Sequence, residues 1–327
     1  MRKIRNYTIA AVLLAVWIFG YVLDSGITNS VLSSGLRFGM PLALAAMVGI
    51  MCERSGVINI GIEGTMLLSG FFGFYAGVYT KNVLIGFAAA IIAGITASFL
   101  HAMMTIVWKM DQIIAGTIIN ILASGLTSFL YVAGVTIPNN WPIFDIPLLS
   151  KLPLVGESFF SQQGPIQYLG LIFIPFIWIM MYKTRWGLRT RSIGENPGSA
   201  DTAGVSVIRM RITNVVLGGA IGGLVGGFIC LELVGSFSKE FTAGAGFTAL
   251  ALMIFGRWNP LGAFAAAIAF GLAQALSTQL QIFGVQEIPQ QFINILPYVF
   301  TIAVLAFSAG KVRPPAAAGA PYEKEKA

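Results

Sequence analysis

Apolar blocks of roughly 17 to 25 residues follow one another along most of this 327-residue chain, with few charges between them. A helix needs about 20 residues to cross about 30 Å of hydrocarbon, so each block has the length of a membrane span. Hydrophobic residues make up 56% of the chain and charged ones 10%, whereas soluble domains carry roughly a quarter of their residues as charges. A water-facing surface cannot be assembled from so few. A β-barrel would show alternating segments of about ten residues instead. The 38 glycines suit helices whose backbones approach closely in lipid. The sequence therefore predicts an all-α polytopic membrane protein with about ten transmembrane helices.

The expected spans are 7–23, 33–52, 64–80, 83–107, 112–135, 165–183, 212–234, 241–256, 260–281 and 289–309. Arg2, Lys3 and Arg5 ahead of the first block imitate a secretory signal, but no small-x-small cleavage pattern follows, so that block reads as a retained span. With both ends inside, only Arg37, Lys81, Lys151 and Lys239 fall outside, leaving sixteen of the twenty Lys and Arg on the cytoplasmic side. The net charge of +7 thus speaks to topology rather than to nucleic acid. Spans two to five and seven to ten start about 177 to 179 residues apart. Five crossings separate corresponding helices, which predicts an inverted five-plus-five repeat.

Two loops are long. The extracytoplasmic loop 136–164 is proline-rich and reads as an irregular cap. In the cytoplasmic loop 184–210, Asn196 can cap a helix, Pro197 takes its first position, and Gly204 stops it after Ala203. Residues 1–310 form the membrane domain. The tail 311–327, with its prolines, alanines and closing charges, reads as disordered.

The segment from Cys52 to Gly64 breaks an otherwise lipid-compatible sequence with three glycines and two acids. Glu53 and Arg54 read as solvated turn residues. Asn59 and Glu63, four apart, share a face if the segment is helical. An ionisable group at membrane depth is expensive, so these two are expected to shape the translocation path or the helix break beside it. Asn120 and Gln274 are further pathway candidates, and Gln112, Ser124, Glu232, Gln279 and Asn294 also fall inside spans. Each either lines a cavity or hydrogen-bonds between helices. Cys52 and Cys230 lack partners at ligand spacing, so no metal or disulfide is expected. His101 reads as a packed core residue. The chain has no phosphate-binding loop motif and no catalytic constellation, so any ATP-driven work needs a separate subunit.

Three stretches carry a resemblance. Glu53 to Leu68 is similar to the signature of nucleoside-type ABC importer permeases, which normally have Met where Thr65 stands. Gly194-Glu195-Asn196-Pro197 through Asp201-Thr202-Ala203-Gly204 also matches, as does Gly246 to Ala251 with Phe255 to Gly262. The wider superfamily includes ribose-type and branched-chain amino-acid permeases. The resemblance implies a translocation subunit rather than an enzyme, in a bacterial cell membrane. Its implied partners are a second, non-identical permease, a cytoplasmic ATPase that holds ATP and Mg, and an extracytoplasmic nucleoside-binding protein. Glu195, Asn196, Pro197, Ala200, Asp201, Ala203 and Gly204 would form the coupling helix that seats in the ATPase. A simple sugar such as ribose is the alternative cargo, and an ion-coupled secondary transporter the alternative class.

Overall fold

The computed structural model describes residues 20–22, 24–137, 142–152, 156–282, 289, 291–293, 295–299, 302 and 313–323. Most of the expected spans 7–23 and 289–309 and the tail's ends at 311–312 and 324–327 lie outside the described residues. Among the described residues every regular element is helical, beside two isolated bridges, Thr136 with Ser236 and Phe144 with Gln163.

Several helices start where side chains satisfy their first amides. Helix α1, Ser25–Glu53, is preceded by Asp24, whose carboxylate accepts from Ile27 N. Helix α2, Ile62–Thr80, ends on Lys81 in the left-handed region. Asn82 caps α3, Val83–Ala102, and Asp111 caps α4, Gln112–Leu130. A π-helical stretch, Met103–Val107, prolongs α3. After the short α5, Gly156–Phe160, comes α6, Pro165–Lys183. Thr184 caps α7, Arg185–Glu195, and Asn196 caps α8, Pro197–Thr202. Helix α9, Val207–Gly227, runs on as π-helix through Phe228–Val234. Helix α10, Ala245–Phe255, is short, and α11, Pro260–Ile282, opens on the side chain of Asn259.

Among the described residues six helices are long and apolar enough to cross a membrane: α1, α3 and α9 with their π-helical extensions, α4, α6 and α11. Their positions follow the expected spans, although α1 starts eight residues before 33 and α9 five before 212. Helix α2 has most of its residues buried between α3, α4 and α9.

Two compact units divide the chain. One holds Met1–Gly39, Pro142–Pro165 and Ile268–Val304; the other holds Met40–Trp141, Ile166–Ala267 and Leu305–Ala327. In the first, α5 and its neighbours are tied to α1 by hydrogen bonds: Asn29 donates to Glu157 and accepts from Ser158, while Gln163 donates to Ser33. The second is organised by α3, which packs extensively on α2 and α9. A Cβ at Gly94 would sit 2.3 Å from the Gly219 carbonyl oxygen, so α3 and α9 touch backbone to backbone. An aromatic cluster of Phe71, Phe74, Tyr75 and Phe237 fills the space beside them.

The tail was expected to be disordered, yet residues 313–323 are packed, with Pro315 and Ala317 buried and backbone bonds to Gly56 and Gly194. Prolines already restrict this segment before folding, so ordering it costs less entropy than composition suggests.

Candidate functional site

The stretch between α1 and α2 abandons helical geometry at residues 54–61, all within the second unit. Backbone polar groups freed this way must find partners, since hydrocarbon offers none. Those partners come from side chains on α3 and α4. Ile58 N donates to Gln112 Oε1 at 2.6 Å, and the Ile58 carbonyl oxygen lies 3.2 Å from His101 Nε2. Asn120 uses both ends of its amide, donating to Ile60 O at 3.2 Å and accepting from Gly64 N at 2.7 Å. The polar residues that the sequence scatters over two spans therefore converge on one broken segment.

The two ends of this segment grip α10. Glu63 accepts from Gly244 N at 2.8 Å and Gly246 N at 2.6 Å, at the start of α10. At its other end, Arg54 donates from Nε to Trp258 O at 3.1 Å and from Nη2 to Arg257 O and Tyr182 Oη, both at 3.2 Å. Trp258 Nε1 donates to Glu53 Oε2 at 2.6 Å. An anion thus sits at the amide end of α10 and a cation at its carbonyl end, both favourable to the helix dipole. Arg257 and Trp258 each have φ near +55°, a conformation costing a non-glycine residue about 1–2 kcal/mol. The hydrogen bonds from Arg54 hold that turn in place.

Glu53 and Arg54 are therefore not the solvated pair expected from sequence. Glu53 is 8% exposed and Arg54 half-buried, because the carbonyls and indole that they serve lie some 200 residues away. Asn59 and Glu63 do not share a helical face either, since Asn59 precedes α2 in non-helical backbone. Asn59 is buried, with its amide nitrogen toward Cys52 Sγ at 3.7 Å and its Oδ1 without a hydrogen-bond partner. Gln274, half-buried on α11, belongs to the other unit, and its carbonyl accepts from Thr278. Glu232 repeats the device of Glu63: its carboxylate accepts from Ile166 N and Gln167 N at the start of α6.

The motif from Gly194 to Gly204 forms α8 as the sequence predicts. The Asn196 side chain accepts from Ser199 N, Pro197 occupies the first turn, and Gly204 takes φ +80° beyond the end. Glu195, Gly198, Ser199, Thr202 and Ala203 are exposed, and Asp201 is half-buried. Ala200 turns inward instead, packed with Ile193 and Val207. Gly194 lies against Arg54: a Cβ there would be 2.2 Å from the Arg54 carbonyl oxygen. All three motifs therefore meet in one place.

Arg211 is the residue that sequence reasoning missed. It is 2% exposed at the start of α9 and donates from Nε to Ser55 O at 3.0 Å and from Nη1 to Ala320 O at 3.0 Å. In sequence it is one of several arginines flanking a span, and nothing local marks its contact with Ser55 and Ala320. No group of three or more His, Cys, Asp or Glu placed to hold a metal occurs among the described residues.

The family model described as "Branched-chain amino acid transport system / permease component" matches residues 31–305. The chain is 38% identical to a nucleoside ABC transporter permease of Lactococcus lactis subsp. cremoris, over 90% of this chain and 97% of that protein. It is 36% identical to a guanosine ABC transporter permease of Bacillus subtilis, over 92% of this chain and 98% of that one.

Proposed function

The chain belongs to the branched-chain amino acid transport system permease family, and from that premise we propose that it is the membrane subunit of an ATP-binding cassette importer for nucleosides. It is a multi-pass membrane protein. The observation that carries the cargo is the full-length likeness to permeases named for nucleosides and guanosine. ATP and Mg belong to a separate cytoplasmic ATPase. A second, non-identical permease and an extracytoplasmic nucleoside-binding protein complete the importer. The chain lies in the bacterial cell membrane with both termini in the cytoplasm, and its ten spans form an inverted five-plus-five repeat.

Within this reading the geometry supports a division of work among the residues. Glu63 and Asn120 spend their polar atoms on backbone, so they build the helix break rather than touch cargo. Asn59 retains an unpaired, buried amide oxygen and is the pathway group of this segment. The Pro197–Thr202 helix and the Ala203 that ends it present Gly198, Ser199 and Ala203 to the ATPase, small residues that allow close approach to a groove. Motion imposed there reaches α10 through Gly194, Arg54 and Trp258, which are in contact or hydrogen-bonded in turn.

Reconstituting the chain with its partner subunits in proteoliposomes tests the proposal. Uptake of radiolabelled guanosine should require ATP and the binding protein, and unlabelled nucleosides should compete while ribose and leucine do not. Competition by ribose alone would assign a sugar instead. Uptake without ATP that follows a sodium or proton gradient would place the protein in another transport class.

A further inference from the structure

The C-terminal segment 313–323 binds together parts of the chain that the first two motifs name separately. Ala317 N donates to Gly194 O at 2.8 Å, and Gly319 N donates to Gly56 O at 3.3 Å. Between them Arg211 joins Ser55 O to Ala320 O. A guanidinium this deeply buried needs acceptors, because a cation stripped of water and left unpaired is costly. One of its two carbonyl acceptors comes from the tail. Gly56 makes the arrangement possible. Its φ is +87°, and a Cβ would lie 2.6 Å from Arg211 Nη2 and 3.1 Å from Ala317 O.

Beyond Ala320, Tyr322 packs onto the cluster formed by Ile193, Ala200 and Val207, beneath α8. Glu323 pairs with Lys109 at 2.7 Å, beside the π-helical end of α3. The segment is suited to this. Pro314, Pro315 and Pro321 limit its freedom when undocked. A turn in which Ala318 N donates to Pro315 O, followed by Gly319 at φ +81°, aims its amides at the two motif loops.

We propose that residues 313–323 are a positioning strut of the coupling apparatus, seating the Pro197–Thr202 helix on the 54–58 turn so that the two move together. Displacement of the helix then passes through Tyr322 and Arg211 to the turn, and through Glu53 and Arg54 to the end of α10. This inference rests on the reading of Pro197–Thr202 as the ATPase-docking helix.

The test uses the whole importer in proteoliposomes with three permease variants: truncation after residue 312, Tyr322→Ala and Ala203→Trp. Three quantities are read: ATPase retained on purification, guanosine taken up per ATP hydrolysed, and deuterium exchange in the peptide containing the Ala317 and Gly319 amides. The truncation and Tyr322→Ala should both keep the ATPase while uptake per ATP falls about fivefold or more, a loss typical of coupling between sites. Exchange of the tail should be slow in the wild type and fast in Tyr322→Ala. If truncation prevents membrane insertion, Tyr322→Ala decides by the same readouts, since it removes one side chain and keeps the full chain. Wild-type uptake per ATP in Tyr322→Ala, or tail amides exchanging in the wild-type importer as fast as in a free peptide, would overturn the strut. Ala203→Trp separates the underlying premise. Full ATPase retention and uptake in that variant would refute the docking helix itself, and the strut with it, whereas loss there beside normal tail variants would refute the strut alone.

Discussion

Replacing Glu63 by Gln separates its charge from its volume. One carboxylate oxygen now accepts from Gly244 N and the other from Gly246 N. A Gln amide can serve only one of these, and its NH2 would face a backbone N–H. Leaving a buried donor unsatisfied costs about 1–3 kcal/mol, and Glu63→Ala loses both bonds. Thermal unfolding of the purified importer in detergent should therefore rank wild type above Glu63→Gln and that above Glu63→Ala; equal midpoints would refute the clamp. At the other end of α10 the asymmetry reverses. Glu53→Gln still accepts from Trp258 Nε1, whereas Trp258→Phe strands a buried carboxyl group, so the Trp258 change should lower the midpoint more. The acids themselves are conspicuous in the sequence as charges in a glycine-broken apolar run. Their partners are not, because Glu63 lies 181 residues from Gly244 and Glu53 lies 205 from Trp258. Residue spacing on a single helix carries no information about such pairs, and that is why Glu53 and Arg54 read as solvated.

At the scale of elements, α8 is a six-residue helix that cannot stand on propensity alone. It depends on its cap and on the cluster beneath it. Asn196→Ala removes the acceptor for Ser199 N at a cost of about 1 kcal/mol, and Asn196→Asp restores it. ATPase retention should fall in the first and recover in the second; a failure of Asp to rescue would mean that Asn196 meets the ATPase directly rather than capping the helix. The inward turn of Ala200 also changes which bulky substitution is informative. Ala200→Trp would overfill the seat of the helix at about 1–3 kcal/mol and so disturb the permease itself. Ala203→Trp probes the exposed face. The cap, the proline and the terminal glycine of α8 are local signals and were legible. Which of its small residues faces inward depends on Ile193, Val207 and Tyr322, contributed by flanking segments and by the far end of the chain. The same limit hid the packed tail, whose composition says how little it can bury and nothing of the carbonyls that Arg211 demands.

For the molecule as a whole, hydropathy located six long apolar helices among the described residues, because each apolar run reports its own burial without needing a partner. The apolar lengths of α3, α6 and α11 coincide with expected spans to within a residue or two once the π-helical continuation of α3 is included. Orientation rests on a different physical term, the asymmetry of Lys and Arg between loops. If sixteen of those residues face the cytoplasm, loop 136–164 lies outside and loop 184–210 inside. The fold supplies suitable reporters. Leu148 is 83% exposed on the first loop, and Ser199 is exposed on α8. The two natural cysteines, Cys52 and Cys230, are free and fully buried, so a membrane-impermeant thiol reagent should leave them untouched in the folded protein. In intact cells that reagent should label Leu148→Cys and spare Ser199→Cys, and permeabilising the inner membrane should expose the second. Labelling of position 199 and not 148 before permeabilisation would invert the protein in the membrane. The exposed face of α8 would then be out of reach of any cytoplasmic ATPase, and the docking helix, the strut and the ATP-driven mechanism would fail together.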